Sequence, residues 1–215
     1  SSSSSSSPTN TTKPPPTTTS KSSSNSLISL LPPSLKPYAH LARIDKPIGT
    51  MLLLYPCCWS TAIAAAPTIT PTTTISLATT FGDPTLLLLF TTGSFIMRGA
   101  GCTINDLWDA PYDASVSRTR SRPLPNGDLT THQALGFLTL QTTLGLGVLL
   151  SLPHLEYCFW LGAASLPLVV VYPLMKRWMD YPQVVLGLTF NWGAWMGWAA
   201  THGSLDSCGG WGVVG

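Results

Sequence analysis

Five long apolar runs, separated by polar stretches, organise the chain. They cover residues 48–66, about 86–104, about 132–151, 157–175 and about 184–201. Each approaches the ~20 residues that carry a helix across ~30 Å of hydrocarbon. None alternates apolar and polar positions with the period of two that a barrel strand needs, so helices are the predicted spanning form. Pro56, Pro153, Pro167 and Pro173 predict kinks or helix ends. Gly145, Gly147, Gly162, Gly187, Gly193 and Gly197 suit close approach of one helix to another. The expected fold class is therefore all-α, a polytopic transmembrane helical bundle with about five spans within these residues.

Composition agrees. Of 215 residues, 44% are hydrophobic and only 9% charged, where a soluble domain carries about 25% charged residues. A net charge of +2 is too small to mark a nucleic-acid binder. The five cysteines form no C-x-x-C pair, and the histidines, His40, His132, His154 and His202, lack metal-ligand spacing. The cysteines read as small apolar fillers. The tryptophans read as interface belts and lipid contacts, Trp192, Trp195 and Trp198 included. Residues 1–37 are Ser-, Thr- and Pro-rich and free of acids, a disordered leader of the kind that organelle transit peptides form. The spanning domain is expected over 38–215.

Charge placement adds an orientation. If the spans alternate, Lys36, Arg43, Lys46, Arg118, Arg120, Arg122, Lys176 and Arg177 all fall on one side. The opposite loops, 67–85, 152–156 and the tail from 202, contain no Lys or Arg. This is the asymmetry of the positive-inside rule.

The second run leads into N105-D-L-W-D109-A-P-Y-D113, followed by R118-T-R-S-R-P123. On a continuing helix with Asn105 at 0°, Arg98 falls at about 20°, Asp109 at about 40°, Asp113 at about 80° and Asp106 at about 100°. Asn105, Asp106, Asp109 and Asp113 thus share a face at the mouth of a span. Crowded carboxylates call for a hard cation, and a sparse set with open positions suits Mg²⁺ shared with phosphate. Guanidinium forks downstream suit the same phosphate. The same residues would also serve as a solvated acidic cap beside ordinary interfacial arginines. Pro111 bends the helix and puts Asp113's place on the face in question. The basic clusters at Arg43–Pro47 and Tyr172–Arg177 would also serve as membrane-edge anchors. A cation transporter would hold such acids near the bilayer midplane, so their place at the mouth favours diphosphate chemistry.

At these residues the chain resembles the UbiA-type intramembrane prenyltransferase superfamily. N105-D-x-x-D-x-x-x-D113 is similar to its first Asp-rich motif. R43-I-D-K-P-I-G49, G101-C-T-I-N-D-L-W-D109, R118-T-R-S-R-P123, Y172-P-L-M-K-R177 and G187-L-T-F-N-W-G193 resemble the 4-hydroxybenzoate polyprenyltransferase branch, its mitochondrial members above all. The resemblance implies a bundle of about eight or nine spans in the full family. It implies transfer of a polyprenyl group from its diphosphate to the ring carbon ortho to the hydroxyl of 4-hydroxybenzoate, in ubiquinone biosynthesis. Asp106, Asp109 and Asp113 would be catalytic, and with Asn105 would hold Mg²⁺. Arg118, Arg120 and Lys176 would bind the leaving diphosphate, Arg43 the acceptor carboxylate, and Tyr172 would line the cavity. The implied setting is the mitochondrial inner membrane, with the Asp-rich site facing the matrix. Polyprenyl diphosphate, 4-hydroxybenzoate and membrane lipid are the implied partners. Other ubiquinone-biosynthesis proteins are candidates for association, and nucleic acid is not.

The family's second Asp-rich motif is not found. Asp180 and Asp206 stand alone, and the sequence given ends at Gly215. The expectation is a C-terminally truncated domain, inactive by itself. The alternatives are a relative with another aromatic acceptor, a non-catalytic membrane protein, or a cation transporter.

Overall fold

The structure is a computed structural model that describes residues 28–65, 83–117, 119, 121–178 and 180–205. Six helices carry these residues and no strand occurs among them: α1 (Lys36–Leu41), α2 (Ile48–Ala65), α3 (Pro84–Asp113), α4 (Thr131–Leu150), α5 (Leu155–Trp178) and α6 (Pro182–His202). The expected leader lies outside the described residues as far as residue 27. Its remainder is ordered earlier than position 38: Ile28 is buried and α1 already begins at Lys36.

Local chemistry sets the helix ends. The Asp83 side chain accepts from the Thr85 backbone N–H at 2.8 Å, and Pro84 takes the first position of α3, where a missing N–H costs nothing. Thr130 and Gln133 form a reciprocal capping box at the start of α4. Gly203, at φ 75°, closes α6 in the left-handed conformation that glycine adopts without a Cβ penalty. Within the spans, threonine hydroxyls fold back onto their own helix. Thr91, Thr92, Thr139 and Thr143 each donate to the carbonyl four residues earlier, at 2.6–3.0 Å. That satisfies polar groups that lipid cannot solvate.

Four helices are long and apolar enough to cross a membrane: Ile48–Ala65, Pro84–Asp113, Thr131–Leu150 and Leu155–Met175. The fifth expected span is present as α6, 21 residues long, but is not among them. Thr189, Asn191 and His202 dilute its apolar character, and packing takes the place of lipid. Ala194, Gly197, Trp198, Ala199 and Ala200 are buried, and α6 makes its broadest contact with α2. Small residues create that contact. A Cβ at Gly197 would stand 2.9 Å from the Cys57 carbonyl oxygen, and one at Gly193 would stand 2.7 Å from Cys57 Sγ. Ser60 Oγ donates across the seam to the Ala194 carbonyl.

The tryptophan expectation needs correcting for this helix. Trp198 is only 5% exposed and stacks on His202 at 4.4 Å, while Trp192 Nε1 donates to the Leu161 carbonyl at 2.9 Å. These rings fill the bundle and satisfy its polar groups, which interfacial belts do not do.

At 30 residues α3 is about 45 Å long, well beyond the hydrocarbon thickness. Its last turns therefore leave the apolar layer on the basic side and carry Asn105–Asp113 with them. A buried clasp sets its rotation against α4: Thr103 Oγ1 lies 3.0 Å from the Gly99 carbonyl and 3.2 Å from Gln141 Oε1.

Gly197→Val should destabilise the bundle by about 1–3 kcal/mol, because the obstacle is backbone that cannot step aside. Gly187→Val, whose Cβ meets nothing within 4 Å, should change little. Loss of helical circular dichroism on titration with denaturing detergent measures the difference.

Candidate active site

The acids are arranged from the end of α3. The helix continues through Pro111 to Asp113, so that proline does not carry Asp113 off the face. Asp106 and Asp113, two turns apart, are 1% and 8% exposed and meet the same guanidinium. Arg122 Nη1 lies 3.2 Å from Asp106 Oδ1 and also pairs with Asp113 Oδ2. Arg43 Nη2 reaches Asp106 Oδ1 from the other direction at 3.1 Å. Asp106 is thus held by two cations from two different segments, as a buried carboxylate requires.

Arg43 reaches it through an uncommon backbone. The Arg43 N–H bonds the His40 carbonyl at 3.1 Å, and the Ile44 N–H bonds the Ala39 carbonyl at 3.2 Å. This is the double closure of a helix C-terminus at which glycine is usual. Arg43 occupies it at φ 55°, a conformation that costs a side-chain-bearing residue about 1–2 kcal/mol. The ion pair with Asp106 gives that cost a purpose.

Above the acids opens a cavity of about 1030 Å³. Its polar end is formed by Arg43, Arg98, Asn105, Arg122 and Tyr172. Its remainder is mostly apolar, with Leu53, Phe90, Met97, Leu149, Val169 and Phe190 among the lining residues and a few Ser and Thr side chains between them. Arg98 Nε is buried without a hydrogen-bond partner. Its guanidinium lies over Gly49 so closely that a Cβ there would collide with it. Tyr172 stands within electrostatic reach of both Arg98 and Asp109.

Of the residues expected from sequence, Arg43, Asp106 and Asp113 are thus gathered in one ionic network, and Asn105 and Tyr172 line the cavity beside it. Asp109 shares the helix end. Lys176 falls in the last turn of α5 at the same end, its side chain outside the described residues. Arg118 and Arg120 also lie outside them. Two residues were missed as binding candidates. Arg122 was the third arginine of R118-T-R-S-R-P123, and nothing in the spacing singled it out. Arg98 carried a usable signal, its seven-residue spacing from Asn105.

The donor set bears on a metal. Among the described residues no three or more His, Cys, Asp or Glu side chains gather as a metal cage. Asp106 and Asp113 are turned toward guanidinium groups. Mg²⁺ rarely uses an all-protein cage, and one or two carboxylates plus phosphate oxygens suffice. Hard oxygen donors beside an arginine-lined cavity fit a cation that arrives with a diphosphate.

A helical membrane bundle enclosing a largely apolar cavity, with arginines in its lining that reach the buried acids of one helix end, matches a known class. The chain belongs to the UbiA prenyltransferase family, whose sequence pattern matches residues 53–214. It is similar to proteins named 4-hydroxybenzoate polyprenyltransferase, mitochondrial, in several animals. It is 52% identical to the Bos taurus protein over 181 residues, covering 84% of this chain and 45% of that one. It is 53% identical to the Drosophila melanogaster protein over 171 residues (80% and 40%) and 50% identical to the Caenorhabditis elegans protein over 182 residues (85% and 48%). The chain spans somewhat under half the length of these relatives. No solved structure matches it.

Asp106→Ala should strand Arg43, leave Arg122 with Asp113 alone and lower stability by about 2 kcal/mol. This is less than the cost of orphaning a fully buried pair, because the guanidinia are a quarter exposed. Asp128→Ala, at an exposed turn, should cost under about 0.5 kcal/mol. Thermal unfolding of the two variants in detergent compares them.

Proposed function

We propose that this chain supplies the diphosphate and acceptor sites of a 4-hydroxybenzoate polyprenyltransferase of ubiquinone biosynthesis. It would act in the mitochondrial inner membrane with its acidic helix end toward the matrix. The observation that carries the reading is a cavity of about 1030 Å³, largely apolar in its lining, that shares Arg43 and Arg122 with the buried acids Asp106 and Asp113. That matches a substrate with a long hydrocarbon tail and a diphosphate head. The relatives' names supply the acceptor, and the charge asymmetry of the loops supports the orientation.

In the reaction the allylic C–O bond breaks and the diphosphate departs with the electron pair. The ring carbon ortho to the hydroxyl then bonds the prenyl carbon and loses its proton. Arg43 and Arg122 are placed to neutralise charge as it grows on the leaving group, with Arg118, Arg120 and Lys176 as further candidates. Asn105, Asp106, Asp109 and Asp113 would hold Mg²⁺, which supplies Lewis-acid stabilisation of the diphosphate. The apolar walls exclude water that would quench an allylic cation. For the acceptor carboxylate the geometry favours Arg98 over Arg43. Arg43 is ion-paired with Asp106 at the acidic helix end, whereas Arg98 lines the cavity, its buried Nε packed over Gly49 without a hydrogen-bond partner. Tyr172 lies beside it, where the acceptor ring would rest.

Two experiments test this. Membranes carrying the chain fused to the C-terminal half of the bovine relative should attach radiolabelled prenyl groups to 4-hydroxybenzoate in Mg²⁺. Asp109→Ala should reduce the rate at least about a hundredfold. Undiminished turnover in that variant, or a folded fusion inert toward 4-hydroxybenzoate, would sink the proposal. In the same fusion Gly49→Ala should push the Arg98 head aside. It should raise the acceptor KM by roughly tenfold while the diphosphate KM stays within about twofold.

A further inference from the structure

Arg122 holds a position that its role as a diphosphate ligand would not require. One nitrogen, Nη1, meets Asp106 Oδ1 and Asp113 Oδ2 together. Those two carboxylates are separated by two helical turns, and their oxygens converge on that nitrogen. A divalent cation held by these acids would need oxygens that the guanidinium now engages.

The carrier of Arg122 differs from that of the acids. Asp106 and Asp113 sit on a packed 30-residue helix. Arg122 sits on the run of turns between α3 and α4. Thr119 Oγ1 ties this run to the Asp113 carbonyl at 3.0 Å, and the Arg122 carbonyl accepts from the Asn126 N–H at 2.9 Å. Leu124 and Leu129 anchor the later part of this run against Leu41 and Ala134, and the Arg122 side chain can swing without unpacking a span. The Arg122 side chain is 25% exposed and also lines the main cavity, so a short movement takes it from the acids into the space above them.

We propose that Arg122 is the resident counter-ion of the Asp106–Asp113 pair and is exchanged for the divalent cation that accompanies a diphosphate. The inference rests on the diphosphate reading of this site and adds an order of events. With the cavity empty, the guanidinium keeps the buried acids neutralised and keeps free metal out. When cation and diphosphate arrive together, the acids change partner and the released guanidinium gains phosphate oxygens, to which it binds at least as well. Neither the metal alone nor the diphosphate alone offers both halves of the exchange, so their binding is coupled.

Mn²⁺ binding, followed by electron paramagnetic resonance on the full chain in detergent, tests this with and without pyrophosphate. The intact chain should bind Mn²⁺ weakly alone and much more tightly with pyrophosphate. Arg122→Gln should bind Mn²⁺ alone roughly tenfold more tightly or better, since one charge-assisted hydrogen bond shifts an equilibrium about that far. Arg122→Lys, which keeps the charge, should stay close to the intact chain. Equal Mn²⁺ affinity in the intact chain and a folded Arg122→Gln would overturn the exchange while leaving the site reading intact. Failure of the intact chain to bind Mn²⁺ and pyrophosphate together would overturn both. Hydrogen exchange on the intact chain gives a readout independent of any variant's folding. Mn²⁺ with pyrophosphate should change amide protection within 114–130, and unchanged protection there would also refute the exchange.

Discussion

The candidate site depends on one buried carboxylate. Asp106 is almost wholly removed from solvent at the end of a helix whose neighbouring acids add further negative charge. A carboxylate there must lose its charge or gain opposite charge from nearby. The chain provides the second solution twice over. Arg43 comes from the segment before α2, and Arg122 from the connection after α3. Neither segment spans the membrane, and the ion pairs join the packing of Leu41, Leu124 and Leu129 around Leu107 in holding both at this helix end. The electrostatic demand of one side chain thus brings an arginine from each approach onto the same carboxylate. It also accounts for the left-handed backbone at Arg43, which the end of α1 alone would have assigned to glycine.

The membrane explains why this arrangement sits where it does. A 30-residue helix overshoots the hydrocarbon, so its acids emerge into a region where water and phosphate are available. The earlier turns remain inside. There polar groups are satisfied within the bundle: threonines onto their own carbonyls, Thr103 onto Gln141, Trp192 onto Leu161. Gly193 and Gly197 let α6 lie against α2 closely enough for a helix of modest apolarity to find shelter. The binding end can therefore be polar while the walls of the cavity stay apolar.

The sequence made some of this readable and left the rest obscure for physical reasons. Run lengths and charge asymmetry reveal the helical class, because bilayer thickness and loop charge act on sequence directly. The acids at Asp106 and Asp113 were readable from helical spacing, which survives Pro111. What remained obscure depends on contacts distant in sequence. No periodicity says that α6 turns its tryptophans inward, since a ring suited to the interface is equally suited to a polar seam. Arg122 resembles its neighbours Arg118 and Arg120 until the fold brings one nitrogen between two carboxylates. Gly49 reads as a loop-to-helix glycine until Arg98 is seen lying across it.

Arg98 gives the strongest argument about what the cavity is for. It precedes Asn105 by seven residues, about 10 Å along the helix axis, and so lies inside the span. An arginine at such depth is costly and persists where it faces a polar or water-filled space. A cavity lined only for a hydrocarbon tail would give it no compensation, and a purely structural ion pair would leave its buried Nε with a partner. It has none. On the proposed reading the cation suits an anionic group on an occupant of the cavity that Arg98 lines. On the same reading a diphosphate at the helix end would be served by Arg43 and Arg122. On the proposed reading, Arg98 and the Asp106–Asp113 network would serve two substrates of unlike shape, one lying with its tail along the apolar walls and the other small, aromatic and acidic.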